Sequence, residues 1–220
     1  YEISACLVGS EMCIRDRDGD KIMKNFTLNI FVFCVLLFCS QFSKGAPNIV
    51  IILTDDLGWG DVSYNGGPIS TPNIDKLSNN GVQMNRFYSA PTCSPTRAAL
   101  LTGINSLAVG VIRPIDNPTA DRYGLPLKYK IMPQFFKDAG YQTALSGKWH
   151  LGMFSDEYLP RNRGFDSTYG HLGGGIGYFD HAVAGRMDWH RNGEILYEDG
   201  YSTTLIADEA IRIIKNKSKE

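Results

Sequence analysis

Asn48-Ile49-Val50-Ile51-Ile52-Leu53-Thr54 is an unbroken run of β-branched and aliphatic residues. Successive side chains of a strand point to opposite faces, so a run that is apolar at every position predicts a central strand buried on both sides. Such a strand needs a layer above and below it. The remaining pattern supplies helices for those layers. Thr71-Pro72 opens a helical pattern that turns Ile74 and Leu77 inward and closes at Asn80-Gly81. A second helix is predicted to start just after Cys93, with Pro95 in its first turn and Gly103 as its stop. Met132 to Ala139 reads as a short amphipathic helix, and Thr203 to Lys215 repeats apolar residues at helical spacing. Val82 to Ser89 and Tyr141 to Ser146 read as further strands. Strands alternating with helices predict an α/β fold, a mostly parallel or mixed sheet flanked by helices. The glycine-rich stretch His171 to Gly177 reads as a loop, because it lacks the strand–turn–helix setting of a dinucleotide site.

The first 45 residues are set apart from this domain. The chain starts with Tyr1, and residues 1–22 resemble translated sequencing adaptor, a non-native leader. Met23 to Gly45 reads as a secretory signal peptide: Lys24 is the positive end, Ile30 to Cys39 the apolar run, and Ser43 and Gly45 the small residues before a cut at Ala46. The apolar run is about half the roughly 20 residues that a membrane-spanning helix needs. These residues carry five charges of each sign, so residues 46–220 keep the chain's net charge of −1. No bulk charge draws the protein to nucleic acid or to a membrane surface, and any bound anion must be held locally.

Of the five cysteines, Cys6, Cys13, Cys34 and Cys39 lie in the segment to be removed, which leaves Cys93 without a disulfide partner. An unpaired thiol in a secreted protein points to catalysis or to a buried structural role. Cys93 falls where a helix begins, and the free N–H groups there favour an anion. Arg97 lies one turn on and shares that face. Asp55 and Asp56 follow the first strand, where ligands of open α/β sheets bind. Two adjacent carboxylates suit a hard divalent cation with oxygen ligands, or a turn and helix cap. Lys148 and His150, two apart after the third strand, would point the same way in extended chain. An ammonium beside an imidazole suits an anionic substrate whose leaving group needs a proton, while a lone histidine is also a common structural residue.

Three stretches together resemble the sulfatase family, most closely arylsulfatase B-type enzymes. They are Pro47 to Gly58, Cys93-Ser94-Pro95-Thr96-Arg97 running on to Gly103, and Gly140 to Gly152, which contains Gly147-Lys148-Trp149-His150. The resemblance covers Ala46 to Lys217 and implies an alkaline-phosphatase-like fold. It implies a sulfuric ester hydrolase in which a formylglycine-generating enzyme converts Cys93 to formylglycine in the endoplasmic reticulum. The hydrated aldehyde would attack the sulfur of a sulfate ester and expel the alcohol. Its second hydroxyl would then lose a proton, releasing sulfate and restoring the aldehyde. The resemblance further implies a cation, usually Ca2+ with Mg2+ as the alternative, held by Asp55, Asp56 and residue 93. Arg97 would steady the hydrate, Lys148 contact the sulfate oxygens, and His150 bond the diol.

The same resemblance implies that an Asp-Asn pair, a second Lys and a second His follow beyond Glu220. Residues 46–220 would then be the N-terminal part of a catalytic domain, truncated before the C-terminal part and inactive alone. A sulfated carbohydrate is the expected substrate, with Tyr178 and His181 as pocket residues. Asn216-Lys217-Ser218 is a glycosylation triplet, and the expected location is the secretory pathway, lysosomal or extracellular. Two other readings stay open: a phosphate or phosphonate ester hydrolase of the same fold, and a non-catalytic sulfate-ester binder.

Overall fold

The computed structural model describes residues 46–116 and 124–216. The expected leader and signal peptide, and Lys217 and Ser218 of the glycosylation triplet, lie outside the described residues. The chain divides into two units, Tyr1–Thr54 and Asp55–Glu220.

Of the first unit, residues 46–54 are described. They form no strand, and Ile52 is 78% exposed. This corrects the expected central strand. The residues have the side-chain pattern of a doubly buried strand, but a strand also needs a neighbour to take its N–H and C=O groups. The described residues of this unit contain none.

Among the described residues the second unit holds five α-helices: α1 (Pro72–Asn80), α2 (Cys93–Thr102), α3 (Ser106–Val109), α4 (Met132–Asp138) and α5 (Ser202–Lys215). Its strands are β1 (Ala144–Ser146), β2 (Ser167–Gly170), β3 (Ala182–Val183), β4 (Arg186–Met187), β5 (His190–Arg191) and β6 (Glu194–Ile195). The main sheet is mixed, in the order β1-β2-β5-β6. β1 runs parallel to β2 with Ala144 opposite Ser167, and the other two pairings are antiparallel. β3 and β4 form a separate hairpin. No helix among the described residues is long and apolar enough to cross a membrane.

Two expectations for this unit change. Residues 82–89 form no strand, and Val82 is 92% exposed. α1 forms with its proline at the first turn, yet Ile74 and Leu77 are exposed rather than inward. Alternation and helical spacing mark an apolar face, but the face is buried only where another element covers it.

α2 follows its sequence signals closely. Thr92 is the extended residue before it, and Pro95 sits in the first turn, where its missing N–H has no intrahelical partner to lose. Gly103 ends the helix at φ +68 and donates its N–H to the Ala99 carbonyl. Ala98 and Ser94 are fully buried. The core beneath joins Ala98 to Val109, Val111, Ile115, Leu125, Ile131, Trp149 and Leu151. Phe165 packs edge-on against Trp149 at 6.1 Å.

A second cluster anchors the sheet to α5. Glu198 accepts from both the Tyr169 hydroxyl and Trp189 Nε1 at 2.6 Å, and Tyr169 and Trp189 meet edge to face at 5.0 Å. Glu209 of α5, 6% exposed, takes a fork of hydrogen bonds from Arg191 (2.9 and 3.3 Å) and another from Arg212 (2.8 and 2.6 Å). The Arg212 bonds outweigh the opposing effect of burial and, with Arg191, hold the Glu209 carboxyl down from 4.5 to about 2. A carboxyl lowered on folding stabilises the protein above its unfolded pKa, and that contribution fades as pH falls through the folded one. Glu209→Gln is therefore expected to lower unfolding stability at neutral pH by about 1 to 2 kcal/mol, less than the full shift because both arginines are solvent-exposed. Urea melts of the two proteins should converge on acidification from about pH 5 down toward about pH 2. A gap that stays constant across that range would remove the ion cluster as its cause.

Candidate active site

β1 and β2 together deliver the site. Past the end of β1 the backbone stays alongside β2's exit, with Gly147 N–H donating to Tyr169 O (2.8 Å), Trp149 N–H to His171 O (2.9 Å) and His150 N–H to Leu172 O (3.0 Å). The two segments touch so closely that a Cβ at Gly170 would stand 2.4 Å from the Gly147 oxygen, so residue 170 must be glycine. Trp149 turns into the core, and its neighbours Lys148 and His150 turn to the other side.

Five of the residues singled out in the sequence meet there. Cys93, the first residue of α2, has its Sγ 3.0 Å from His150 Nδ1. Arg97, one turn along α2, donates from Nη1 to the Lys148 carbonyl at 2.6 Å. Its Nη2 lies 3.4 Å from Asp55 Oδ2, and Lys148 Nζ reaches the same oxygen at 2.7 Å. Burial of Asp55 raises its carboxyl, but the Lys148 bond and charge, with Arg97, more than reverse this and hold it below the usual range. Burial also lowers the His150 imidazole, against the opposing bond to Asp116, and Lys148 adds to the lowering.

Other residues belong to the same site without any spacing signal in the sequence. Asp116 Oδ1 lies 2.9 Å from His150 Nε2. Ser94 donates to the His150 carbonyl (2.8 Å) and accepts from the Ile115 N–H (3.1 Å), tying α2 to both neighbours. His171 is buried on β2's exit. Burial, reinforced by Lys148 and Arg97 against Asp188, brings it down to about 4.

The expected metal set is not gathered. Among the described residues no three His, Cys, Asp or Glu side chains converge on a point that could hold an ion. Asp55 is neutralised by Lys148 and Arg97, and Asp56, at φ +55, is exposed. Two carboxylates supply part of an oxygen shell and fall short of the six or more ligands that calcium takes.

The expected pocket pair separates as well. Tyr178 is exposed and lies 5.3 Å from the Tyr201 ring. His181 is 1% exposed, stacks on Trp189 at 4.6 Å and bonds the Gly200 carbonyl at 3.0 Å. Its ring is part of the packing, because Trp189 offers a flat partner and Gly200 an acceptor. Asn216 is exposed at the end of α5.

Comparison with known proteins places this geometry in context. The family model described as Sulfatase matches residues 47–220. Mouse arylsulfatase J is 40% identical over 177 residues, which cover 76% of this chain and 29% of that protein. Among solved structures, Ps i-CgsB superposes with a TM-score of 0.69 at 34% identity, over 77% of this chain and 41% of the other. The structure of BT4656 in complex with its substrate D-glucosamine-2-N,6-O-disulfate gives a TM-score of 0.62 at 33% identity, over 79% of this chain and 32% of the other. The chain spans less than half the length of the relatives it matches.

Proposed function

The chain belongs to the sulfatase family, and we propose that it carries the nucleophile side of a sulfuric ester hydrolase acting on sulfated sugars. The observation that supports this best is the meeting of Cys93, His150, Arg97, Lys148 and Asp55 within bonding distance, from three separate stretches of chain. Converted to formylglycine and hydrated, residue 93 supplies a hydroxyl nucleophile for the sulfur of a sulfate ester, which splits one hard displacement into two easier ones.

The surrounding residues have separable tasks. Arg97 and Lys148 bring two positive charges to the mouth of α2, where a sulfate monoanion and the negative charge of its transition state gain most. His150 faces residue 93 with a ring nitrogen and can take a hydroxyl proton there. Asp55 holds the two cations in place by sharing one carboxylate oxygen between them. Asp55 and Asp56 would also be the chain's contribution to a divalent cation, Ca2+ before Mg2+, with residue 93 beside them. Such an ion would acidify the attacking hydroxyl and offset sulfate charge. The remaining ligands would come from outside the described residues.

Residues 46–220 are proposed as the N-terminal part of the catalytic domain, after a leader and a signal peptide. Passage through the secretory pathway to the lysosome or the exterior would expose Cys93 to the formylglycine-generating enzyme. BT4656, a relative in structure, is seen with a disulfated glucosamine, which favours a sulfated sugar for this chain too.

The test is sulfate release from a panel of sulfated saccharides, with matched phosphate esters as controls, by the protein that carries this chain secreted from eukaryotic cells. Desulfation without phosphate release is the expected outcome. The reverse preference would replace the reading with a phosphohydrolase.

A sugar subsite is proposed at the exposed rings of Tyr178, Phe179 and Tyr201, where Phe179 lies 5.4 Å from Tyr201. Flat rings suit the apolar faces of sugars. Tyr178→Ala is expected to raise KM for a saccharide substrate several-fold, the equivalent of about 1 kcal/mol, with kcat unchanged. An unaltered KM would move the subsite elsewhere.

A further inference from the structure

We propose that Asp116 is the positioning residue that fixes which nitrogen of His150 carries its proton, leaving Nδ1 free to accept from residue 93. The catalytic consequence rests on the sulfatase reading of residue 93; the tautomer does not. His150 lies between two partners on opposite sides of its ring. Nδ1 faces Cys93 Sγ at 3.0 Å and Nε2 faces Asp116 Oδ1 at 2.9 Å. An ionised carboxylate can only accept, so Nε2 must be the donor. In a neutral imidazole the other nitrogen then has a lone pair and no hydrogen. The hydroxyl that a proton acceptor must serve is on the Nδ1 side.

The ring has little freedom to escape this arrangement. His150 is 2% exposed. Its N–H is bonded to Leu172 O and its carbonyl to Ser94 Oγ. The glycine-rich loop closes over the contact: a Cβ at Gly174 would come within 2.8 Å of His150 Cε1, 3.0 Å of Nε2 and 3.1 Å of Asp116 Oδ1. That loop is itself pinned, because Asp188 accepts from the N–H groups of Leu172 (3.1 Å) and Gly173 (2.7 Å). The side chain of Asp116 is 59% exposed, so replacing it leaves the core untouched.

Asp116→Asn and Asp116→Glu, made in the secreted protein that carries this chain, test the assignment. Nitrogen-15 NMR of labelled histidine reads the tautomer directly. The unsubstituted protein should show His150 protonated at Nε2. Asp116→Asn should shift the population toward the Nδ1-protonated ring, since a side-chain amide can donate to Nε2. Asp116→Glu should restore most of the original signal. Asp116→Asn should also lower kcat for sulfate-ester hydrolysis by about 10- to 100-fold and leave KM within about twofold, which a merely structural role would not do. An unchanged His150 signal in Asp116→Asn would overturn the proposal. A shifted signal with unchanged kcat would overturn its catalytic consequence. If the unsubstituted protein hydrolyses no sulfate ester, the reading of residue 93 fails, and the NMR result still decides the role of Asp116.

Discussion

Replacing Cys93 by alanine is expected to bring sulfate-ester hydrolysis by the protein carrying this chain to background, a fall of about 10⁴-fold or more. No other side chain at the mouth of α2 can take over the attack. Ser94 is fully buried and its hydroxyl is committed to the His150 carbonyl and the Ile115 N–H. Lys148 and Arg97 are engaged as cations, and His150 can move a proton but has no oxygen to give. The fold should survive, because Cys93 is half-buried and its thiol makes one polar contact. A stability change within about 1 kcal/mol is expected. Thermal melts beside sulfate release separate the two effects: a folded protein that no longer desulfates is the expected pair, and a folded protein that still does would remove residue 93 from the mechanism.

Lys148→Ala carries the second largest expected effect, a loss of roughly 10²- to 10³-fold in kcat. The ammonium is nearly buried, 2.7 Å from Asp55 and next to the Arg97 guanidinium that shares the same oxygen. Removing it takes away a charge aimed at the reacting anion. It also leaves Asp55 with the longer, 3.4 Å Arg97 contact alone. Substrate binding should weaken less than turnover, since the charge to be stabilised grows toward the transition state. Separate kcat and KM values for the variant check this. A rise in KM with unchanged kcat would make Lys148 a binding residue only.

What the sequence made legible here is local. Pro95 and Gly103 mark the first turn and the stop of α2, because first-turn prolines and stop glycines act within a few residues. The two-residue spacing of Lys148 and His150 put both on the side of the chain away from Trp149, which the core claims. Where a second element decides, the sequence was silent or misleading. Residues 48–54 and 82–89 have strand-like patterns and no ladder, since pairing is a property of two segments. Ile74 and Leu77 mark an apolar face on α1 that nothing covers. Asp116 stands 34 residues before His150, and only the folded chain brings the two together. His181, expected to line a pocket, stacks on Trp189 inside the packing instead. His171 sits in a loop by sequence, but its carbonyl accepts the Trp149 N–H between the matching bonds at Tyr169 and Leu172.

The family's match over residues 47–220 and the convergence of Cys93, Arg97, Lys148 and His150 both turn on the chemical state of one side chain. A mass spectrum of the peptide spanning Thr92 to Arg97, taken from protein secreted by eukaryotic cells, reads that state directly. An aldehyde in place of the CH2–SH group of Cys93 is the expected result. An intact thiol at that position in otherwise active protein would contradict the account.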